Sequence, residues 1–392
     1  MQIYLDYSAT TPPRPEVRQI VQETLTSYWG NPSSLHDWGQ RAALVLETAR
    51  LQVAQLLNAP QPDRLIFTAG GTEADNLAIF GIAQQYAQPQ HLIISSVEHS
   101  AISEPARRLE AEGWQVTRLP VNAQGRVNPW DLKLAIQPNT VLISIIYGQS
   151  EVGTLQPIEE LGNIARSYGI PFHTDAVQVA GRLPLDVQRL PVDLLSLSGH
   201  KIYGIQGAGA LYVREGIALI PRLDGGGQEQ RLRSGTQALP AIAALGLAAE
   251  LAQRELKSES QRLIALRDRL FDLLADCPYL KPTGDRLYRL PHHVSFVLQN
   301  VGPQVTGKTL VRELNLAGIG ISAGAACNSG KLHPSSVLLA LGYDAQSAVG
   351  GIRLTLGRET TPADIDWTAF VLQQILNRLA TSQERLSAPL LP

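Results

Sequence analysis

Thiols are scarce in this chain: 392 residues include two cysteines, Cys277 and Cys327. Two thiols build no disulfide framework, and a reducing, cytoplasmic setting is the natural expectation. Charge excess is also missing. With 33 Lys and Arg against 35 Asp and Glu the formal net charge is −2, so nothing electrostatic favours nucleic acid or an anionic membrane as partner. No apolar run reaches the length of a membrane span, and the opening MQIYLDYSATT lacks the basic and apolar regions of a signal peptide. Internal repeats and low-complexity stretches are absent, and no metal is expected. What remains is a chain that is 44% hydrophobic, longer than a single core usually supports, and therefore expected to form two domains.

From about residue 64, short apolar runs alternate with helical patterns. RLIFTA, HLIISS, TVLISII, PFHTD, VDLLSLS and GALYV read as buried strands, and TEADNLAIFGIAQQYA, AISEPARRLEAE and IEELGNIARSYG as helices. This alternation predicts an α/β fold with a mostly parallel sheet and ligands beyond the carboxyl ends of the strands. A helical stretch from about Pro240 to Leu274 leads into a second set. There HVSFVLQ, IGIS and GIRLTL alternate with TLVRELNLAG, SSVLLALG and a helix from about Pro362. The final SQERLSAPLLP reads as a loose tail. The expected division is a large domain over 13–255 and a smaller α/β domain made of 1–12 and 256–392.

The most informative segments are FHTDAVQ and SGHK. Lys201 sits on a short turn between apolar strands, where poor solvation lowers the pKa of an amine and makes it a nucleophile toward carbonyls. Asp175, from a neighbouring strand, is the carboxylate that a protonated pyridine nitrogen needs. A Schiff-base lysine with an acidic partner is the protein's share of pyridoxal phosphate chemistry; an ordinary Lys–Asp ion pair at a sheet edge is the bland alternative.

Other segments carry compatible chemistry, each with a plainer explanation beside it. Gly71 and Thr72 open a helix after a strand, where free amides attract an anion, although many such junctions are simple turns. Ser198 and His200 are further phosphate donors from the lysine turn. His99 ends a strand, suited to lie over a planar ring and handle protons, or to cap a helix. The glycine-rich GGGQEQRLRSGT offers Arg233 and Thr236 to a phosphate, in its own or a neighbouring subunit, or is a surface loop. Cys327 lies among small residues in SAGAACNSG, whereas Cys277, ending an amphipathic helix, reads as packing. Arg353, on the apolar strand GIRLTL, requires a carboxylate partner from substrate or protein; Arg358 reads as exposed.

Taken together, the chain resembles a cysteine desulfurase of the NifS/IscS type, in the class V, aspartate-aminotransferase-like group of pyridoxal phosphate enzymes (fold type I). LDYSATTP, GNPSSLH, FTAGGTEADNLAI, EHSAI, EVGTLQPI, FHTDAVQVAG, SGHKIYG, GGGQEQRLRSGT, SAGAACNSG and GIRLTLGR carry the resemblance over nearly the whole length. It implies pyridoxal 5'-phosphate as cofactor, bound through Lys201, with Asp175 on the ring nitrogen, Gln178 on the ring hydroxyl and His99 stacked on the ring. Gly71, Thr72, Ser198 and His200 would hold the phosphate, Thr236 reaching the partner's phosphate across a homodimer interface. Arg353 would bind the carboxylate of L-cysteine. Cys327 would take the sulfur as a persulfide, release alanine and pass the sulfur to an acceptor such as an iron–sulfur scaffold.

Some positions depart from the family pattern. Gln149 and Ser150 stand where two asparagines are usual, the second of them close to ring hydroxyl and substrate; Tyr7 replaces an asparagine, and Ile205-Gln206 replace Pro-Lys. The tail does not resemble the scaffold-docking segment of bacterial housekeeping members. The competing activities are a pyridoxal-dependent cystine or selenocysteine lyase, an aminotransferase, or a non-enzymatic sulfur-relay adaptor.

Overall fold

The computed structural model describes residues 2–302, 304–324 and 333–387. A seven-stranded sheet runs in the order Leu65–Thr68, Gly209–Val213, Leu194–Ser198, Phe172–Asp175, Thr140–Ser144, His91–Ser95 and Gln115–Leu119. Only Gly209–Val213 is antiparallel to its neighbours. Two antiparallel steps cancel, so Thr68, Ser95, Ser144, Asp175 and Ser198 all end on one edge. Strands covered on both faces need apolar residues throughout, and LIFT, LLSLS and GALYV are buried along their whole length.

The 35-residue helix Leu239–Leu273 ties this sheet to the rest of the molecule. Its first half places Ile242, Leu245 and Ala249, spaced by three or four residues, in the core beneath the large sheet. Its second half places Leu263, Leu266, Leu270 and Phe271 in a separate core with Ile3, Leu5, Phe296, Leu354 and Leu372. Over that second core lies an antiparallel sheet ordered Ser322–Ala323, Gly351–Thr355, His293–Leu298, Leu280–Pro282. The N-terminal strand Ile3–Tyr4 pairs with Ile319–Gly320. Residues 7–11 then continue back to the large sheet, where Thr11 hydrogen-bonds to the His200 carbonyl.

Two expectations need correction. IGIS is not one strand: Ile319–Gly320 pairs with the N-terminus, while Ser322–Ala323 pairs with Gly351–Thr355, because two sheets meet there. The tail is not loose from its start. The last helix runs Pro362–Ser387, since Gln, Glu, Arg and Leu are good helix formers and no glycine or proline interrupts them before Pro389. Among the described residues no helix is long and apolar enough to cross a membrane.

Candidate active site

At the carboxyl edge of the large sheet lies a cavity of about 260 Å³. Gly71, Thr72, His99, Ser150, Asp175, Gln178, Ser198, His200, Lys201 and Arg353 all line it. Strand ends supply Asp175 and Ser198, a one-turn helix over Gly199–Lys201 supplies the lysine, and the smaller sheet supplies Arg353. Thr236 is exposed and does not line this cavity. Arg233 is engaged by Glu73 at 2.9 Å. Cys327 lies outside the described residues.

The Lys201 ammonium donates to the carbonyls of Ser8 and Ala9 at 2.6 and 2.7 Å. Burial pushes its pKa down to about 8, and the charges of Arg182 and Arg353 push the same way. A lysine with that pKa is about one-tenth neutral at pH 7, against well under one part in a thousand for an ordinary one. Burial raises the Asp175 carboxyl, opposed by the His99 and Lys201 charges and by the Val177 amide at 2.9 Å. A cationic ring nitrogen is the partner that would keep this carboxylate ionised.

His99 caps a helix, its Nδ1 accepting the Ala101 amide at 3.2 Å, and it also lines the cavity. His200, held by Thr10 Oγ1 at 3.1 Å, is pushed down to about 4 by burial and the Lys201 charge. It is therefore neutral at physiological pH.

The donor set fits pyridoxal phosphate. Gln178 is 5% exposed; its Nε2 donates to the Ser8 carbonyl at 2.9 Å while its Oε1 has no hydrogen-bond partner. An orphaned buried acceptor calls for a donor such as a ring hydroxyl. The helix Gly71–Ala83 begins at the cavity wall, where Gly71 and Thr72 line it together with Ser198, and a helix start attracts an anion. A Cβ at Gly71 would meet Val177 Cγ2 at 2.7 Å, so glycine is needed for the close approach.

Arg353 has a protein partner: Nη2 donates to Asp6 Oδ1 at 2.7 Å and Nη1 to the Ser150 carbonyl at 2.9 Å, leaving Nε unpartnered. Ser150 thus serves Arg353 through its backbone. Gln149 turns inward, accepting the Glu151 and Val152 amides.

Three residues behind the cavity escaped the sequence reading. Asp75, 1% exposed, lies 3.6 Å from His173 Nε2, and burial and the nearby Asp175 raise its pKa well above the usual carboxylate range. His173 bridges Ser144 and Ser196 at 2.8 and 3.0 Å and is pushed down to about 3 by burial. The Glu98 carboxyl accepts the Ser95 hydroxyl and the Ile146 amide, and burial pushes it up to about 8. The available signal was an acid inside an otherwise apolar helix or strand end: Asp75 in EADNLAIF and Glu98 after LIISSV. Among the described residues no group of His, Cys, Asp and Glu is arranged to hold a metal.

Comparison with known proteins shows the family. The aminotransferase class-V family model matches residues 3–367. The chain is 43% identical over 384 residues to the cysteine desulfurase IscS of Dictyoglomus turgidum, covering 97% of this chain and 96% of that protein. A solved NifS-like protein superposes with a TM-score of 0.90 at 32% identity, covering 96% of this chain and all of that one. The structure of SspA in complex with cysteine gives 0.80 at 35% identity over 91% of this chain and 99% of that one. The chain therefore belongs to the aminotransferase class-V family of pyridoxal phosphate enzymes, among its cysteine desulfurases.

Proposed function

We propose that the protein converts L-cysteine to L-alanine, passing the sulfur first to Cys327 as a persulfide and then to an acceptor protein. The observation that carries this reading is the convergence of Lys201, Asp175, Gln178 and Arg353 on one cavity. It is joined to nearly full-length kinship with cysteine desulfurases. Bound pyridoxal phosphate supplies an aldehyde for the substrate amine and a ring that accepts electron pairs from bonds broken at the amino acid.

The chain's own residues do the rest. Lys201, partly neutral at physiological pH, holds the cofactor and is then free to move a proton at its Nζ. Asp175 keeps a proton on the ring nitrogen, Gln178 Oε1 takes the ring hydroxyl, and His99 covers the ring. Gly71, Thr72, Ser198 and His200 hold the phosphate. Arg353 orients the substrate carboxylate, its fork already aligned by Asp6 and Ser150. The Cys327 thiolate then attacks the substrate sulfur. The carbon–sulfur bond breaks with its electron pair staying on the alanine fragment, and Cys327 keeps the sulfur.

A homodimer is the assembly we propose. Leu25, Trp29, Leu35, Trp38 and Leu44 stand exposed on Pro15–Ser27, Asp37–Leu56 and the link between them. An apolar patch of that kind marks an interface. Thr236, exposed outside its own cavity, is then available to the partner's phosphate. The two cores sharing Leu239–Leu273 support a large domain of 13–255 and a small one of 1–12 and 256–392. A cytoplasmic location and an iron–sulfur scaffold as acceptor complete the proposal. Purified protein incubated with L-cysteine should yield alanine and sulfide in equal amounts when a reductant is present. Pyruvate and ammonia in place of alanine would sink the reading and favour a lyase.

A further inference from the structure

Lys201 stands on the wall between two cavities. The front one is the candidate active site; the rear one, of about 30 Å³, is lined by Arg182 together with Arg14, Tyr203, Glu255 and Glu259. Arg182 lines only the rear cavity and is 6% exposed. Its contacts are long and neutral, Nη1 to the Gln178 carbonyl at 3.3 Å and Nη2 to the Tyr7 carbonyl at 3.5 Å. The acids nearby are taken: Glu255 by Arg14 and Arg358, Glu259 by Arg262. Among the described residues Arg182 has no carboxylate partner. A buried guanidinium without a counterion is costly, so its presence here points to a function for the uncompensated charge.

We propose that Arg182 is a positioning residue for Lys201, bracing from behind the Tyr7–Ser8 and Gln178 backbone that frames the lysine and setting an unpaired positive charge against its rear. Of the two segments it touches, one gives the carbonyl of Ser8 to Lys201 Nζ and the other carries Gln178. The charges facing Lys201 are Arg353, Asp175 and Asp6 from the front and Arg182 from the rear, with the neighbouring His200 neutral. The depressed pKa of Lys201 has burial as its first cause and Arg182 as its second. Unlike exposed charges, a buried cation is hardly screened by salt.

This role rests on Lys201 being the cofactor lysine. The experiment is a spectral pH titration of the holoenzyme, following the colour change as the lysine–cofactor linkage loses its proton. In Arg182→Met and Arg182→Gln the midpoint should rise by about one pH unit, a tenfold fall in the neutral fraction at fixed pH. Arg182→Lys should restore it. Unchanged midpoints in folded Met and Gln variants overturn the proposal while leaving the desulfurase reading intact. A colourless wild type overturns both. Wild type alone provides a second check: its midpoint should stay depressed in 1 M salt, and a rise to that of a free lysine linkage would assign the effect to surface charges and overturn the proposal.

Discussion

Arg353 Nη2 donates to Asp6 Oδ1 at 2.7 Å, joining the smaller sheet to the N-terminal segment at the cavity wall. One arm of the guanidinium is spent on this pair and another on the Ser150 carbonyl. The geometry therefore holds the fork in place before any substrate carboxylate arrives. Arg353→Lys keeps a charge and loses the fork, so KM for L-cysteine should rise about 10- to 100-fold, the worth of a charge-assisted pair. Cofactor absorbance should persist. Asp6→Asn, which leaves the guanidinium in place, should move KM much less. An unchanged KM in Arg353→Lys would reduce Arg353 to a structural partner of Asp6.

Glu98 predicts a pH effect on stability. Its carboxyl has a folded pKa of about 8 against an ordinary 4.5. Below pH 4.5 both folded and unfolded chains hold the proton and the group is neutral toward stability. Between pH 4.5 and 8 the unfolded chain releases it first, so the folded form loses stability as pH rises through this window. Asp75 and Asp175, raised by burial, act in the same direction. Glu98→Gln, which imitates the protonated acid, should shrink the fall in Tm of the apoprotein between pH 5.5 and 8.5 by on the order of a few degrees. Equal slopes for variant and wild type would mean that Glu98 is ionised in the fold.

The exposed apolar patch predicts the assembly state. Trp38→Glu sets a charge in the proposed interface and should give monomers in sedimentation, with activity lost because Thr236 no longer reaches the neighbouring site. Thr236→Ala should leave the dimer intact and weaken retention of pyridoxal phosphate. A fully active monomer would contradict both the interface and the role of Thr236.

Much of the site could be read from the sequence because its residues are local signals at strand ends. Asp175, Ser198 and Lys201 each end or follow a fully buried strand, and Gly71 follows another. The strand Gln115–Leu119 was missed because its burial is partial and QVTRL mixes polar with apolar residues. Asp75, Glu98 and Arg182 were missed for a different reason. Each acquires its chemistry from groups distant in sequence: Asp75 from the His173 and Asp175 side chains, Glu98 from the Ile146 amide, Arg182 from the Tyr7 carbonyl. Asp6, likewise, looks like any acid in LDYSATT until Gly351–Thr355 folds beside it. No local pattern reports how much water a tertiary fold removes from a charge.

The two cysteines should separate cleanly. Cys277 is 8% exposed, packed with Leu274 and Leu280 in the second core, and burial raises its thiol pKa. A thiol kept protonated among apolar side chains makes a poor nucleophile. Cys277→Ser should therefore produce alanine at the wild-type rate, yet lose about 1–3 kcal/mol of stability because a hydroxyl is costlier than a thiol to bury among apolar side chains. Cys327, in its small-residue setting SAGAACNSG, is the proposed sulfur acceptor. Substrate binding, as proposed, rests on Lys201 and Arg353, and Cys327→Ser changes neither residue. That variant should still show a spectral change on addition of L-cysteine. Serine holds its proton at neutral pH and attacks sulfur poorly, so alanine should fall at least about 100-fold. Near-normal alanine formation by Cys327→Ser would mean that Cys327 is not the sulfur acceptor, and pyruvate and ammonia in place of alanine would mark a lyase.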